Sequence, residues 1–276
     1  MAVRIAFQRY GNFLFSKKSI LLLYALVFFW EDIVQRIGQV AGQGECKAGF
    51  LEPYLLMLTS TDHIMLIPLL FLVLLSDFPD KGGKVIPVLS RTGKGKWQSG
   101  QVLCLGFFAL TYLCSFLIVS AVGLGKQASF LTEWSDFTNA LYVRFPELFG
   151  RNNQLFLSTE VVAQGTPVMV LIHSSLLVLL FLLMLGQIVF LFHIMNRRLF
   201  GFAAAILLTT AGWGVTKLNL DIKWLFPVSH VLYGEHFQTF LSQLHCSIWL
   251  SYGYFILWNI VLFVCGRKQI ERCRIW

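Results

Sequence analysis

Apolar residues run along this chain in long unbroken stretches, with short polar segments between them. A helix needs about 20 apolar residues to cross roughly 30 Å of hydrocarbon. Six stretches reach or approach that length, at residues 19–37, 53–76, 101–122, 168–195, 199–217 and 246–265. In the first, the apolar run stops at Trp30 and Glu31 and Asp32 follow. The fourth is longer than a bilayer needs, which predicts a helix that tilts or projects. The fifth is short and rich in Ala, Gly and Thr. A membrane β-barrel would alternate apolar and polar residues over about ten at a time, and these runs do not. The pattern predicts an all-α polytopic membrane protein with six transmembrane helices, built as one domain over residues 1–276.

Residues 1–16 follow a different rhythm. Val3, Ala6, Phe7, Tyr10, Phe13 and Leu14 recur at three- and four-residue spacing, with Arg4, Gln8, Arg9 and Asn12 between them. That pattern predicts an amphipathic helix lying in the cytoplasmic headgroup layer; the plainer alternative is a frayed tail before a basic stop. Residues 123–167 carry Trp134, Phe137, Tyr142, Phe145 and Phe149. This is too aromatic for a disordered linker and predicts short helices packed on the outer surface. Residues 218–245 carry Trp224, Phe226, Pro227, Tyr233 and Phe237, amphipathic enough to dip into the interface or re-enter the bundle.

Composition excludes the soluble and disordered classes. The chain is 57% hydrophobic and 13% charged, against roughly 25% charged in an average soluble domain. A soluble core could not hide so much apolar surface. The net charge of +8 would raise nucleic acid as a partner in a soluble chain. In a membrane chain the distribution counts instead. With a cytoplasmic N-terminus, the inside segments 1–18, 77–98, 196–198 and 266–276 hold four, five, two and four Lys or Arg of the 22. Every inside segment obeys the positive-inside rule, so both termini are predicted to be cytoplasmic, with no nucleic acid as partner. The first apolar run could also be read as a signal peptide. Glu31, Asp32 and Arg36 then fall awkwardly between its core and any cleavage site.

Several chemistries lack their residues. A P-loop needs G-x-x-x-x-G-K-[ST]. Counting back from Gly95-Lys96 reaches Ser90 rather than Gly, and Trp97 replaces the hydroxyl residue. Neither H-E-x-x-H nor G-x-S-x-G occurs. His173 and His193 are 20 residues apart on one helix, about 30 Å, too far to share a metal. A proton-coupled carrier would want a carboxylate near the midplane; Asp62-His63 opens the densest part of span two, Ile64–Leu75, at the interface, and neither that part nor the middles of spans three to six hold one. The chain is therefore expected not to be an enzyme and to hold no cofactor of its own. Six Cys include no C-x-x-C, and a bridge between Cys46 and Cys246 is left open. Glu31 and Asp32 have two readings: a polar lining of a substrate path, or a helix end at the outer interface with Arg36 pairing Asp32 at i, i+4. Gly201, Ala205, Thr209 and Gly212 form a run of small residues that allows close helix approach.

Residues 77–98 are the most informative segment. A short apolar stretch containing Val85, Ile86 and Leu89 lies among Asp80, Lys81, Lys84, Arg91, Lys94 and Lys96. It could dock a protein surface, or anchor the loop to anionic headgroups. The order of features is an acidic end to a span, a Gly-containing stretch, an apolar run, Ser90-Arg91-Thr92-Gly93, Lys96-Trp97 and a following span. This order resembles the first inside loop of the ABC-2-type permeases, the membrane subunits of bacterial ABC exporters, in versions common in Gram-positive peptide, bacteriocin and multidrug systems. The topology resembles theirs too; the roughly 45-residue outer segment at 123–167 departs from a minimal permease. The resemblance implies a type-2 ABC exporter permease fold. It also implies a second permease chain, identical or related, and two separate ATP-binding cassette subunits that carry the ATP and Mg. The loop would be the coupling helix, with Asp80, Lys81, Lys84, Val85, Ile86, Leu89, Arg91, Lys94 and Lys96 at the ATPase and Trp97 anchoring the next span at the interface. A peptide, lipid or amphipathic toxin or drug would pass between permeases, with Glu31, Asp32, Gly201, Ala205, Thr209 and Gly212 as the candidate path. The rival reading is a non-transporting sensor or immunity protein that binds a toxin through its outer segments.

Overall fold

The computed structural model describes residues 2–14, 19–78, 93–130, 132–139, 153–237 and 246–272. Its chain order begins with helix α1 (Ala2–Leu14) and α2 (Ser19–Phe29), continued by a π-helical stretch (Trp30–Gln35) and α3 (Arg36–Gln43). Strand β1 (Ala48–Gly49), α4 (Glu52–Thr59) and α5 (Leu66–Leu74) follow, then α6 (Lys94–Gly123) and strand β2 (Ala128–Ser129). Two short helices, α7 (Asp136–Asn139) and α8 (Thr159–Val162), precede α9 (Pro167–Ile194) and α10 (Arg198–Lys217). Last come α11 (Pro227–Val231) and α12 (Ile248–Arg272).

Four of these helices, α6, α9, α10 and α12, are long and apolar enough to cross a membrane. They coincide with the third to sixth predicted spans. The chain is thus an all-α membrane protein in its dominant architecture. At 30 residues, α6 is about 45 Å long, more than the hydrocarbon requires. Its first turn, with Lys94 and Lys96 exposed, projects from one end of the bundle.

Local chemistry sets the helix ends. Thr166 caps α9, its Oγ1 accepting from the Met169 N–H, and Pro167 opens the helix where no N–H is needed. The turn into α10 needs a left-handed residue, and Asn196 supplies it with φ 57°. The end of α10 uses Asn219 in the same way, with φ 49°.

Helix α9 is the central post. Leu177, Val178, Leu182, Leu185 and Val189 on it are fully buried. It packs against α6, α10, α12 and the α4–α5 pair. At one end Trp97 of α6, Phe190 of α9 and Ile270 of α12 form a cluster joined by Phe78 and Ile194. At the other end β1 pairs in parallel with β2, Ala48 opposite Ala128. The buried Glu52 carboxylate accepts from the Gly49 N–H (2.9 Å), the Ser135 N–H (3.0 Å) and the Ser135 hydroxyl (2.8 Å). Three donors on one carboxylate offset its desolvation. They tie the segment after α6 to the start of α4.

Three predicted features differ. The second span is not one helix. It breaks between α4 and α5, where Ser60 is extended and its Oγ accepts from the Asp62 N–H. Pro68 stands in the first turn of α5 and could not continue the helix from α4. Hydroxyl residues that bond their own backbone favour such breaks. The first span is continuous in backbone from Ser19 to Gln43, but it contains the π-helical stretch where Glu31 and Asp32 fall. The third difference is α1, which does not lie flat across the bundle end. Ala2 and Ile5 sit on Gly100, Phe7 is 4.9 Å from Phe107, and the Tyr10 hydroxyl bonds Thr111. The helix therefore runs lengthwise beside α6. Its Ala6 and Ile5 are buried while Val3 and Phe7, one turn apart on the same side, stay exposed.

Candidate functional site

Most of the predicted coupling loop lies outside the described residues: Asp80, Lys81, Lys84, Val85, Ile86, Leu89 and Arg91. Its two boundaries are placed. Phe78 packs on Phe190 at 6.1 Å, and Lys94 opens α6 beside the end of α12. Both therefore emerge at the same end of the bundle. Lys94 and Lys96 are exposed there, with Arg267, Lys268 and Arg272 of α12 at the same end. Trp97 corrects its expected role. It is 6% exposed and packs on Phe190 at 5.7 Å, so it wedges three helices together rather than anchoring one at a lipid interface.

The predicted path residues divide. Glu31 is exposed, and Asp32 accepts from Arg36 at 3.2 Å, the interfacial pairing of the plainer reading. Gly201, Ala205, Thr209 and Gly212 share one buried face of α10. A Cβ at Gly201 would stand 2.7 Å from Phe192 Cβ, and one at Gly212 would stand 3.0 Å from Val228 Cγ2. The stripe is consumed by packing against α9 and α11 within this chain. It lines neither of the two cavities described below.

The end opposite the basic residues holds the larger of the two spaces. A cavity of about 930 Å³ opens between the α4–α5 break, the C-terminal end of α10, α8 and the segment after α10. Six hydroxyl residues and five charged ones face it, over an apolar base that includes Leu56 and Leu232. Lys217 donates to Asp62 at 2.6 Å and lies over the Trp213 ring at 5.1 Å. Trp213 Nε1 in turn donates to the Thr61 carbonyl at 2.7 Å, which satisfies backbone freed by the break. Lys223 donates to Glu235 and to Asn219, both at 2.7 Å, and its side chain is only 10% exposed. A far smaller pocket of about 30 Å³ lies between Phe29, Asp32, His63 and Tyr112. The pairing of Asp62 with Lys217, across 155 residues, carries no local signal.

Behind the cavity the segment after α10 packs back against the ends of α9, α10 and α12. Asp221–Leu225 is a 3-10 turn, α11 follows, and Tyr233–His236 is a second 3-10 turn. Val228, Ser229, Val231, Leu232 and Tyr233 are buried. His230 Nε2 donates to the Trp224 carbonyl at 2.8 Å, so Nδ1 accepts from the Ser251 hydroxyl, also at 2.8 Å. His236 Nε2 reaches the His230 carbonyl at 3.3 Å. Burial holds both imidazoles toward the neutral form, His236 down to about 4. Ser251 beside His230 has the bond of an activated nucleophile. Its hydroxyl is fully buried and lines neither cavity, so the geometry makes it a strap between the folded-back segment and α12. His173 likewise bonds a neighbouring helix, its Nδ1 at 2.9 Å from the Tyr252 hydroxyl. Cys46 and Cys246 are both free thiols. Among the described residues no group of three His, Cys, Asp or Glu side chains could hold a metal ion. Comparison with family models, with curated proteins and with solved structures finds no match.

Proposed function

We propose that this chain is a membrane-spanning permease subunit of an ATP-driven exporter of the ABC-2 type. It would lie in a bacterial plasma membrane with both termini inside. The observation that carries the reading is the segment between α10 and α12. It returns into the bundle on α11 and is buried there against α9, α10 and α12. A segment between the fifth and sixth spans that can re-enter the bundle belongs to the architecture of the permeases that the chain resembles. The basic end supports the same reading. Phe78, Lys94 and Lys96 bracket the basic loop at the end where α12 places Arg267, Lys268 and Arg272. Cations gathered there suit the positive-inside rule and an ATP-binding partner docked below.

In this account α1 to α5 and α6 provide the first half of six spans, with the second span broken. A homodimer or a related heterodimer would enclose the path. ATP-driven closure of the partner subunits would move the permeases as rigid bodies. The test is co-purification of the tagged chain from native membranes in mild detergent, with partners identified by mass spectrometry. A P-loop protein near one-to-one with the chain is expected. Replacing Val85, Ile86 and Leu89 by Asp should remove it. The outer cavity favours one other reading, a toxin-binding immunity or sensor protein. That reading expects no nucleotide-binding partner, with or without the three substitutions.

A further inference from the structure

We infer that the outer cavity binds a cationic amphiphile, a ligand with a positive group on an apolar body. The inference rests on the permease reading only in calling that ligand a transported substrate; the binding itself does not need it. The volume of about 930 Å³ falls within the roughly 300–1,000 Å³ of small-molecule sites. The wall is unusual backbone. Residues 60–65 leave the helix between α4 and α5, and Ser60, Thr61 and Asp62 line the cavity. Non-helical backbone at membrane depth is tolerated where it faces a water-filled cavity, and broken helices are where transporters hold ligands.

Electrostatics chooses the sign. The lining carries three carboxylates, Asp62, Glu160 and Glu235, against two ammonium groups, Lys217 and Lys223. Both ammonium groups are already engaged. Lys217 bonds Asp62 and lies over Trp213; Lys223 bonds Glu235 and Asn219 and lies over Trp224 at 5.6 Å. An anion would have to break a 2.6 or 2.7 Å pair to find a partner. Glu160 on α8 makes no ion pair among the described residues, so a cation finds a carboxylate waiting. Phe156 and Phe237, also in the lining, offer apolar contact and π-faces to the same ligand.

The test uses the full-length chain in phosphatidylcholine nanodiscs. Its probes are tetraphenylphosphonium and tetraphenylborate, two ions alike in size and opposite in sign. Saturable tetraphenylphosphonium binding above that of empty nanodiscs is expected. Glu160→Gln should weaken it at least about tenfold, the worth of a lost charge-assisted contact. Ser158→Trp, which puts an indole into the cavity two residues before Glu160 and keeps its carboxylate, should also weaken it at least about tenfold. Glu45→Gln, an exposed outer glutamate outside the lining, should leave it unchanged. The inference is overturned if tetraphenylphosphonium binds no more than to empty discs, or equally well to Glu160→Gln. It is also overturned if tetraphenylborate binds as tightly and is displaced by Ser158→Trp. Should Glu160→Gln fail to fold, Ser158→Trp decides alone. No ATPase is present in the discs, so failure here leaves the permease reading to the co-purification. A chain that binds the cation but brings down no ATPase keeps the site and loses the permease.

Discussion

Lys223–Glu235 and Lys217–Asp62 face the same cavity at nearly the same distance, 2.7 and 2.6 Å. Their surroundings differ. The first pair has side chains 10% and 26% exposed, the second 51% and 55%. Removing one partner of a buried pair strands a charge and costs about 3–5 kcal/mol, while exposed pairs are worth about 0–1 kcal/mol. Glu235→Gln should therefore lower stability by about 3 kcal/mol, and Asp62→Asn by less than about 1 kcal/mol. Equilibrium unfolding in mixed dodecyl sulfate micelles measures both. Equal losses would mean that burial does not set the worth of these pairs. Neither pair was legible in the sequence, since their partners lie 12 and 155 residues apart and no periodicity joins them. The i, i+4 pair Asp32–Arg36 was legible because helix geometry alone brings it together.

Elements were read best where apolar length decides. The four long helices α6, α9, α10 and α12 match predicted spans because twenty-odd apolar residues leave the backbone no other way to satisfy its hydrogen bonds in lipid. The break at residues 60–65 was missed because Leu, Ile and Phe on both sides outweigh four polar residues in any hydropathy average. Ser60, Thr61, Asp62 and Pro68 together were the available signal. The small residues of α10 were recognised as allowing close approach, but not what would approach. The answer lies in the neighbours, Phe192 and Val189 against Gly201. Gly201→Leu should cost at least about 2 kcal/mol through overpacking of the α9–α10 hairpin. Gly214→Ala, whose Cβ meets nothing within 4 Å, should be neutral or stabilising. The same micelle titration separates them, and a tolerated Gly201→Leu would show that α9 and α10 are not held as described.

At the scale of the molecule, chemistry is sorted by end. Lys94, Lys96, Arg267, Lys268 and Arg272 gather where the 79–92 loop leaves and returns. The cavity, the Glu52 staple and the folded-back segment occupy the other end. On the proposed function a soluble partner meets the first end and a ligand the second. Lys96 is exposed on the first turn of α6, one residue before the buried Trp97, and so offers a rigid reporter at the basic end. A photocrosslinking amino acid placed at position 96 in the native host, irradiated in intact cells, tests the assignment most directly. The account predicts a covalent adduct with a P-loop ATP-binding protein. An adduct with lipid alone, or with a protein that binds no nucleotide, would contradict it.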